Sequence, residues 1–248
     1  MISATTPTDL IETCRKLSKQ GSNGCLISGG CLPDGSTPLN RFIDAISYIK
    51  KEYHFKIFVH TGIIEKNLAQ KLKDAGVDVA MIDIIGSDET IKEIYNLNIT
   101  VKDYEKSLKA LHDSGIAFVP HILIGLHHGQ LKGEFNALDM IAKYYPQALV
   151  AIALVPLKGT PLAKIDPPKP EEIARVLAIA KLKIPDRPLA LGCMRPMGNH
   201  RKNTDVLAIK AGVNAIAFPE EEAIAFATSL GLDIEFNSQC CSDIYGIC

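Results

Sequence analysis

The chain of 248 residues has no tryptophan and only 6% aromatic residues. It also has no stretch approaching the roughly 18 consecutive apolar residues of a membrane span. That last absence argues against a membrane role. Charge of one sign is missing as well: 27 Lys and Arg stand against 28 Asp and Glu, a formal net charge of -1. No cluster of basic residues with interleaved aromatics occurs, so nucleic acid is not expected as a partner. The N-terminus lacks a basic segment followed by an apolar run, and the expectation is a soluble, cytoplasmic protein. Seven cysteines form an odd set without an export signal, which favours thiols, metal or iron-sulfur ligation over a disulfide framework. Linkers, low-complexity runs and long repeats are missing too, so a single domain is expected.

What is present is a 47% hydrophobic chain in which short apolar runs alternate with amphipathic stretches, the pattern of a parallel sheet with crossover helices. The pattern predicts helices over 7–20, 39–52, 64–75, 88–114, 133–145, 170–183, 201–211 and 220–230. It predicts strands over 24–29, 55–60, 78–85, 117–124, 148–155, 188–194 and 213–218, with a weak last strand over 232–236. In Asp74-Ala75-Gly76-Val77, Asp113-Ser114-Gly115-Ile116 and Lys210-Ala211-Gly212-Val213 a glycine closes a helix and feeds an apolar strand start, the αβ turn of a barrel. The fold class expected is α/β, a (β/α) TIM-type barrel spanning 1–248, with 237–248 as a cysteine-containing tail. Because the sequence opens on a helix, the first barrel strand is expected to be absent.

In such a fold the chemistry sits at the strand ends. The first strand ends in Ser28-Gly29-Gly30-Cys31, bare backbone that a ligand can approach closely. Later ends carry His60, Asp83, and His121 through Gly129, then Lys158-Gly159-Thr160 and Cys193-Met194-Arg195. His121 and Gly125 share one strand face, and His127 continues it if the strand does not bulge. With His60 and Asp83 these could form a mononuclear metal site or line a pocket; the lack of a His-x-His pair favours lining. Lys158-Gly159-Thr160 reads either as a carboxylate or phosphate holder or as a tight turn. Arg195 offers a planar fork for an anionic cofactor group.

Three phrases carry a family resemblance: Gly29-Gly30 after an early strand, Val155-Pro156-Leu157-Lys158-Gly159-Thr160-Pro161-Leu162, and Ile124-Gly125-Leu126 together with Gly192-Cys193-Met194-Arg195-Pro196. In them the chain resembles the radical S-adenosylmethionine (SAM) superfamily, in particular biotin synthase and archaeal-type two-protein lipoyl synthases. The resemblance implies S-adenosylmethionine and a 4Fe-4S cluster held by a C-x3-C-x2-C triplet, from which a radical abstracts hydrogen from an unactivated carbon. It places Ser28, Gly29 and Gly30 at the methionine moiety, and Asp83, His121, Ile124 and Gly125 along the nucleoside or substrate. By the same resemblance Cys193, Cys240 and Cys241, with Cys248 nearby, are candidate ligands of an auxiliary iron-sulfur cluster serving sulfur insertion. In the family a glutamate usually follows the glycine pair; here Cys31 does.

No C-x3-C-x2-C triplet stands among these residues, so the radical cluster is expected from residues ahead of Met1 or from a partner chain. The expected partners are a small-molecule or acylated-protein substrate, an electron donor and a second radical SAM protein. The alternative function is a non-catalytic barrel subunit that accompanies a catalytic homologue. A third reading takes Lys158 as the Schiff-base amine of an ordinary lyase or aldolase.

Overall fold

The computed structural model describes residues 2–238 and 240–246; Met1 and Cys248, both named above, lie outside them. The elements run α1 (Pro7–Lys19), β1 (Gly24–Ile27), α2 (Ile43–Tyr53), β2 (Lys56–His60), α3 (Lys66–Asp74), β3 (Val79–Ile84), α4 (Asp88–Thr90), α5 (Val101–Ser114) and β4 (Phe118–Ile124). They continue as α6 (Glu134–Ala142), β5 (Leu149–Ala153), α7 (Pro170–Lys183), β6 (Leu189–Leu191), α8 (Asn199–Lys210), β7 (Ala215–Ile216) and α9 (Glu221–Ser229). The strands are taken in chain order, and the pairings β1 with β2, β2 with β3, and β4 through β7 are parallel. Chain order with parallel pairing and a helix in each connection is the (β/α) plan that the αβ turns predict.

The chain forms two compact units, Met1–Ile82 with Leu97–Val119, and Asp83–Asn96 with Pro120–Cys248. Two of the three chain divisions fall inside strands, β3 and β4, and the third follows Asn96 in the segment before α5. In the first unit α1 packs on α2 and α3 on α5. Their inward faces bury Ile46, Ile49, Leu72, Leu108 and Leu111 completely, each such side chain contributing about 1.5–3 kcal/mol. In the second, α6 packs on α7, α7 on α8 and α8 on α9, over a core that includes Leu138, Ile141, Val150, Val176 and Leu191.

Local chemistry sets the boundaries. Thr6 caps α1, its hydroxyl accepting the Asp9 N–H at 3.1 Å while the Asp9 carboxylate accepts the Thr6 N–H at 2.9 Å. This is a reciprocal capping box with Pro7 at the first helical position. The single helix predicted over 88–114 is instead broken. The chain runs through α4 and one π turn (Ile91–Tyr95), turns left-handed at Asn96 (φ 51°), and restarts as α5 behind a second box made by Thr100 and Asp103. Asparagine tolerates that backbone region and threonine caps a restart, so the local sequence overrides the apolar periodicity.

The weak strand expected over 232–236 does not form. Residues 232–238 are exposed without regular structure. Beyond them a 3-10 turn, Cys241–Gly246, buries Ser242, Asp243 and Ile244 against β5, β6 and β7. The strand predicted over 188–194 is also shorter, ending at Leu191. A Cβ on Gly192 would lie 2.6 Å from Ile152 Cγ2, so only glycine lets the chain leave the sheet there.

Candidate functional site

In the first unit β1 stops at Ile27, and Ser28, Gly29, Gly30 and Cys31 lie exposed just past its end. A Cβ on Gly30 would meet nothing within 4 Å, and one on Gly29 only the Thr37 methyl at 3.0 Å. Neither glycine is needed to relieve a backbone clash. Their bareness leaves main-chain polar groups accessible at the strand end. The loop behind them is held firmly. Leu32 N–H donates to Ser36 O at 2.8 Å, Asp34 accepts the Ser36 N–H and hydroxyl, and Ser36 bridges to Gly62. Cys31 donates to Leu32 O at 3.2 Å, and partial burial keeps its thiol above the usual range. His60 ends β2 half-buried. Cys14 and Cys25 lie 4.0 Å apart, a hydrogen bond that pulls Cys14 down and pushes Cys25 up.

In the second unit the Asp83 carboxylate comes within 4.8 Å of the His121 imidazole. His121 is buried, and its Nε2 lies 3.3 Å from the Ser242 hydroxyl of the terminal 3-10 turn. Gly125 turns the chain out of β4 at φ 74°, where a Cβ would strike the Pro168 ring at 2.5 Å. Its N–H donates to Glu134 Oε1 at 2.8 Å. Glu134 is buried, its Oε2 has no partner, and burial raises its carboxyl above the usual range. Beside it Ile84, Gly86, Leu126 and Gly133 help to line a cavity of about 10 Å³, room for one water at most. The turn at Gly125 takes His127 off the β4 face. Its ring meets Thr90, Glu89 and Glu93.

Arg195 is a correction. Its expected role as an anion fork at the cofactor fails because no N–H is left to offer. Nε and Nη2 bind both oxygens of Asp205 at 2.6 and 2.8 Å, Nη1 binds Gly192 O and Ala217 O, and Nη2 also binds Phe218 O. All five donors of the guanidinium are spent on a side chain 1% exposed. Arg195 ties the segment after β6 to the segment after β7. Lys158 sits exposed in a tight turn where Thr160 N–H and hydroxyl bond Leu157 O. This lacks the desolvation that a Schiff-base amine requires.

Folding back of the tail brings Cys193, which follows β6, together with Cys240 and Cys241. Hydrogen bonding from Cys241 holds the Cys193 and Cys240 thiols down to about 6, and Cys241 itself is pushed up. The shared proton of Cys241 favours ionisation of its neighbours, and thiolate is the form that binds soft metals and iron-sulfur clusters. Sequence reasoning missed Ser242 and Glu134. Ser242 had no signal beyond standing next to Cys240-Cys241, and Glu134 resembled an ordinary first-turn acid.

Residues 3–138 match the family model described as the Radical SAM superfamily. Biotin synthase of Zymomonas mobilis subsp. mobilis is 28% identical over 162 residues, 64% of this chain and 47% of that protein. Biotin synthase of Beijerinckia indica subsp. indica is 29% identical over 163 residues, 64% of this chain and 49% of that protein. The chain thus spans about half the length of the curated relatives it matches. Among solved structures, methylornithine synthase (PylB) covers 99% of this chain at TM-score 0.63 and 16% identity, with 77% of that chain covered. An HMG-CoA lyase from Brucella melitensis covers 96% at TM-score 0.59 and 11% identity, with 88% of that chain covered. These likenesses establish the α/β, TIM-barrel class of fold. Since a lyase shares it, fold alone does not select the chemistry.

Proposed function

Because the chain belongs to the radical SAM superfamily, we propose that it takes part in sulfur insertion at unactivated C–H bonds, as in biotin or lipoyl synthesis. In this reading Cys193, Cys240 and Cys241 hold an auxiliary iron-sulfur cluster. The observation that carries the reading is the three-thiol group, assembled from positions far apart in sequence, in which Cys241 hydrogen-bonds Cys193 and Cys240. The family implies S-adenosylmethionine and a 4Fe-4S cluster, which when bound supply hydrogen-abstracting radical chemistry. The residues present fit the first of these. Ser28, Gly29 and Gly30 offer exposed main-chain groups to its amino acid end, with open space where a Cβ at Gly30 would stand. Ile124 and Gly125 give an apolar strand end suited to a nucleoside, and the half-buried Asp83 beside the buried His121 presents polar groups to the nucleoside or substrate. None of the seven cysteines is assigned to the radical cluster. The substrate is proposed to be a small molecule or an acylated protein, with an electron donor and a second radical SAM protein as partners.

The test is iron and sulfide per chain after anaerobic reconstitution, with electron paramagnetic resonance of the reduced sample with and without S-adenosylmethionine. A cluster lost in Cys193→Ser and Cys240→Ser, with a signal that S-adenosylmethionine does not perturb, is expected. No bound iron, or iron retained in both variants, overturns the auxiliary site and with it the support for sulfur insertion.

A further inference from the structure

Apart from the proposed cluster and cofactor residues, we propose that Glu93, His127 and His128 form a binding site for a divalent transition metal of the zinc class. Their ligand atoms, one from each side chain, all lie within 4.8 Å of one another. The Glu93 Oε2 atom stands 4.0 Å from His127 Nε2 and 3.8 Å from His128 Nε2, so both imidazoles converge on a single carboxylate oxygen. Tetrahedral zinc with bonds of about 2.0–2.1 Å sets its ligand atoms about 3.4 Å apart. Closing onto a metal therefore takes less than about 1.5 Å from any pair. Two of the three side chains are exposed and free to turn.

The buried ring is prepared for such a ligand. His127 Nδ1 lies 3.2 Å from the Thr90 hydroxyl, and the Lys132 ammonium lies 3.4 Å from His127 Nε2. An ammonium can only donate, so Nε2 is the acceptor and Nδ1 carries the proton toward Thr90. That is the tautomer of an Nε2 metal ligand whose other nitrogen is oriented by a second partner. Lys132 also pairs with Glu89, so an incoming dication displaces the ammonium from His127 without leaving it unpaired. Glu89 Oε1, 3.8 Å from His127 Nε2, or a water completes four-coordination.

Backbone geometry holds the donors in place. Gly125 and Gly129 have φ of 74° and 82°, and His128 itself stands at φ 52°. Gly129 N–H donates to Gly125 O at 2.8 Å and Gln130 N–H to His127 O at 2.9 Å. Adjacent histidines in an extended strand would point to opposite faces. In this turn the two rings lie edge to face with centroids 5.1 Å apart. Glu93 is presented by the π turn, itself stopped at Asn96.

The test is Co2+ titration of the metal-free full chain, followed by visible d–d absorption and by near-ultraviolet thiolate charge transfer, with Zn2+ competition. Glu93→Gln and His128→Asn are the variants; both replace exposed side chains, and asparagine accepts the left-handed backbone at 128. One equivalent of Co2+ giving d–d bands of its own, over and above any thiolate charge transfer from the three cysteines, is expected, displaced by Zn2+ and weakened at least about tenfold in each variant. No binding, binding unchanged in both variants, or a spectrum showing only thiolate ligation overturns the site. The thiolate band reports on Cys193, Cys240 and Cys241 separately, so failure of the histidine site and failure of the auxiliary-cluster reading are told apart.

Discussion

Removing Asp205 should be among the most damaging single changes available in the second unit. Arg195 and Asp205 are 1% and 0% exposed, and beyond its two bonds to the guanidinium the carboxylate also accepts the Glu220 N–H at 3.1 Å. Asp205→Ala leaves a guanidinium charge in the interior with two N–H groups unmet, and the Glu220 N–H unmet as well. Breaking a buried pair from one side costs about 3–5 kcal/mol, whereas replacing both partners by apolar groups of similar shape is close to neutral. For a chain of this length 1 kcal/mol moves the melting temperature by about 2–4 °C, so a fall of at least about 6 °C is expected by calorimetry. Arg195→Met alone should fall comparably, because it strands the carboxylate. The double variant Arg195→Met/Asp205→Leu should recover the part of the loss due to the stranded charge, but not the part due to Gly192 O, Ala217 O, Phe218 O and the Glu220 N–H, which stay unmet, a positive coupling in a double-mutant cycle. A shift below about 2 °C for Asp205→Ala would refute the clamp on the same scale. So would an Arg195→Met variant that keeps wild-type stability but loses affinity for S-adenosylmethionine, which would return the guanidinium to the cofactor.

Gly86→Ala should destabilise by about 1–3 kcal/mol or more, because its Cβ would stand 2.0 Å from Gly133 O and 2.6 Å from Ala137 N, both backbone atoms. Gly30→Ala, with open space at the Cβ position, should melt within about 2 °C of wild type, since surface changes cost within about 0.5 kcal/mol; equal melting of the two variants would contradict the close backbone approach at Gly86. The pH dependence of stability should carry a signature of Glu134, whose carboxyl is raised above 4.5 by burial. A raised carboxyl binds a proton more tightly in the folded state, so its contribution is full below 4.5 and is lost as pH rises through the folded value. Glu134→Gln should therefore melt no lower than wild type at pH 8 and lose its advantage toward pH 4.5; a variant less stable at pH 8 would show that the ionised carboxylate supports the fold.

The parts of the fold that could be read in advance were those fixed by local chemistry. The glycine closing α5 at Gly115, with φ 66°, was legible because cap residues act over three or four positions. All seven predicted strands from 24–29 to 213–218 form, each within its expected span. The break at Asn96 was hidden because apolar spacing continues on either side of it. The 232–236 segment misled in the other direction. Leu232, Ile234 and Phe236 alternate as a half-buried strand does, yet they are exposed, and alternation cannot supply the neighbouring edge that a strand needs.

The same division explains which site residues the sequence could reveal. Gly29-Gly30 stood out in the sequence as bare backbone past a strand end, and in the structure both are exposed there. Arg195 was misread because positive charge after a barrel strand suggests an anion, while its partner Asp205 lies ten positions away inside α8. A buried ion pair has no linear signature, and only packing reveals it. Burial also changes the chemical meaning of a side chain. A guanidinium with five bonds to its own chain holds two loops in place, and a thiol with two cysteine neighbours is shifted from its ordinary acidity. Thus the cysteines that stood apart in sequence, Cys193 against Cys240 and Cys241, carry the functional reading further than the arginine that promised more reactivity.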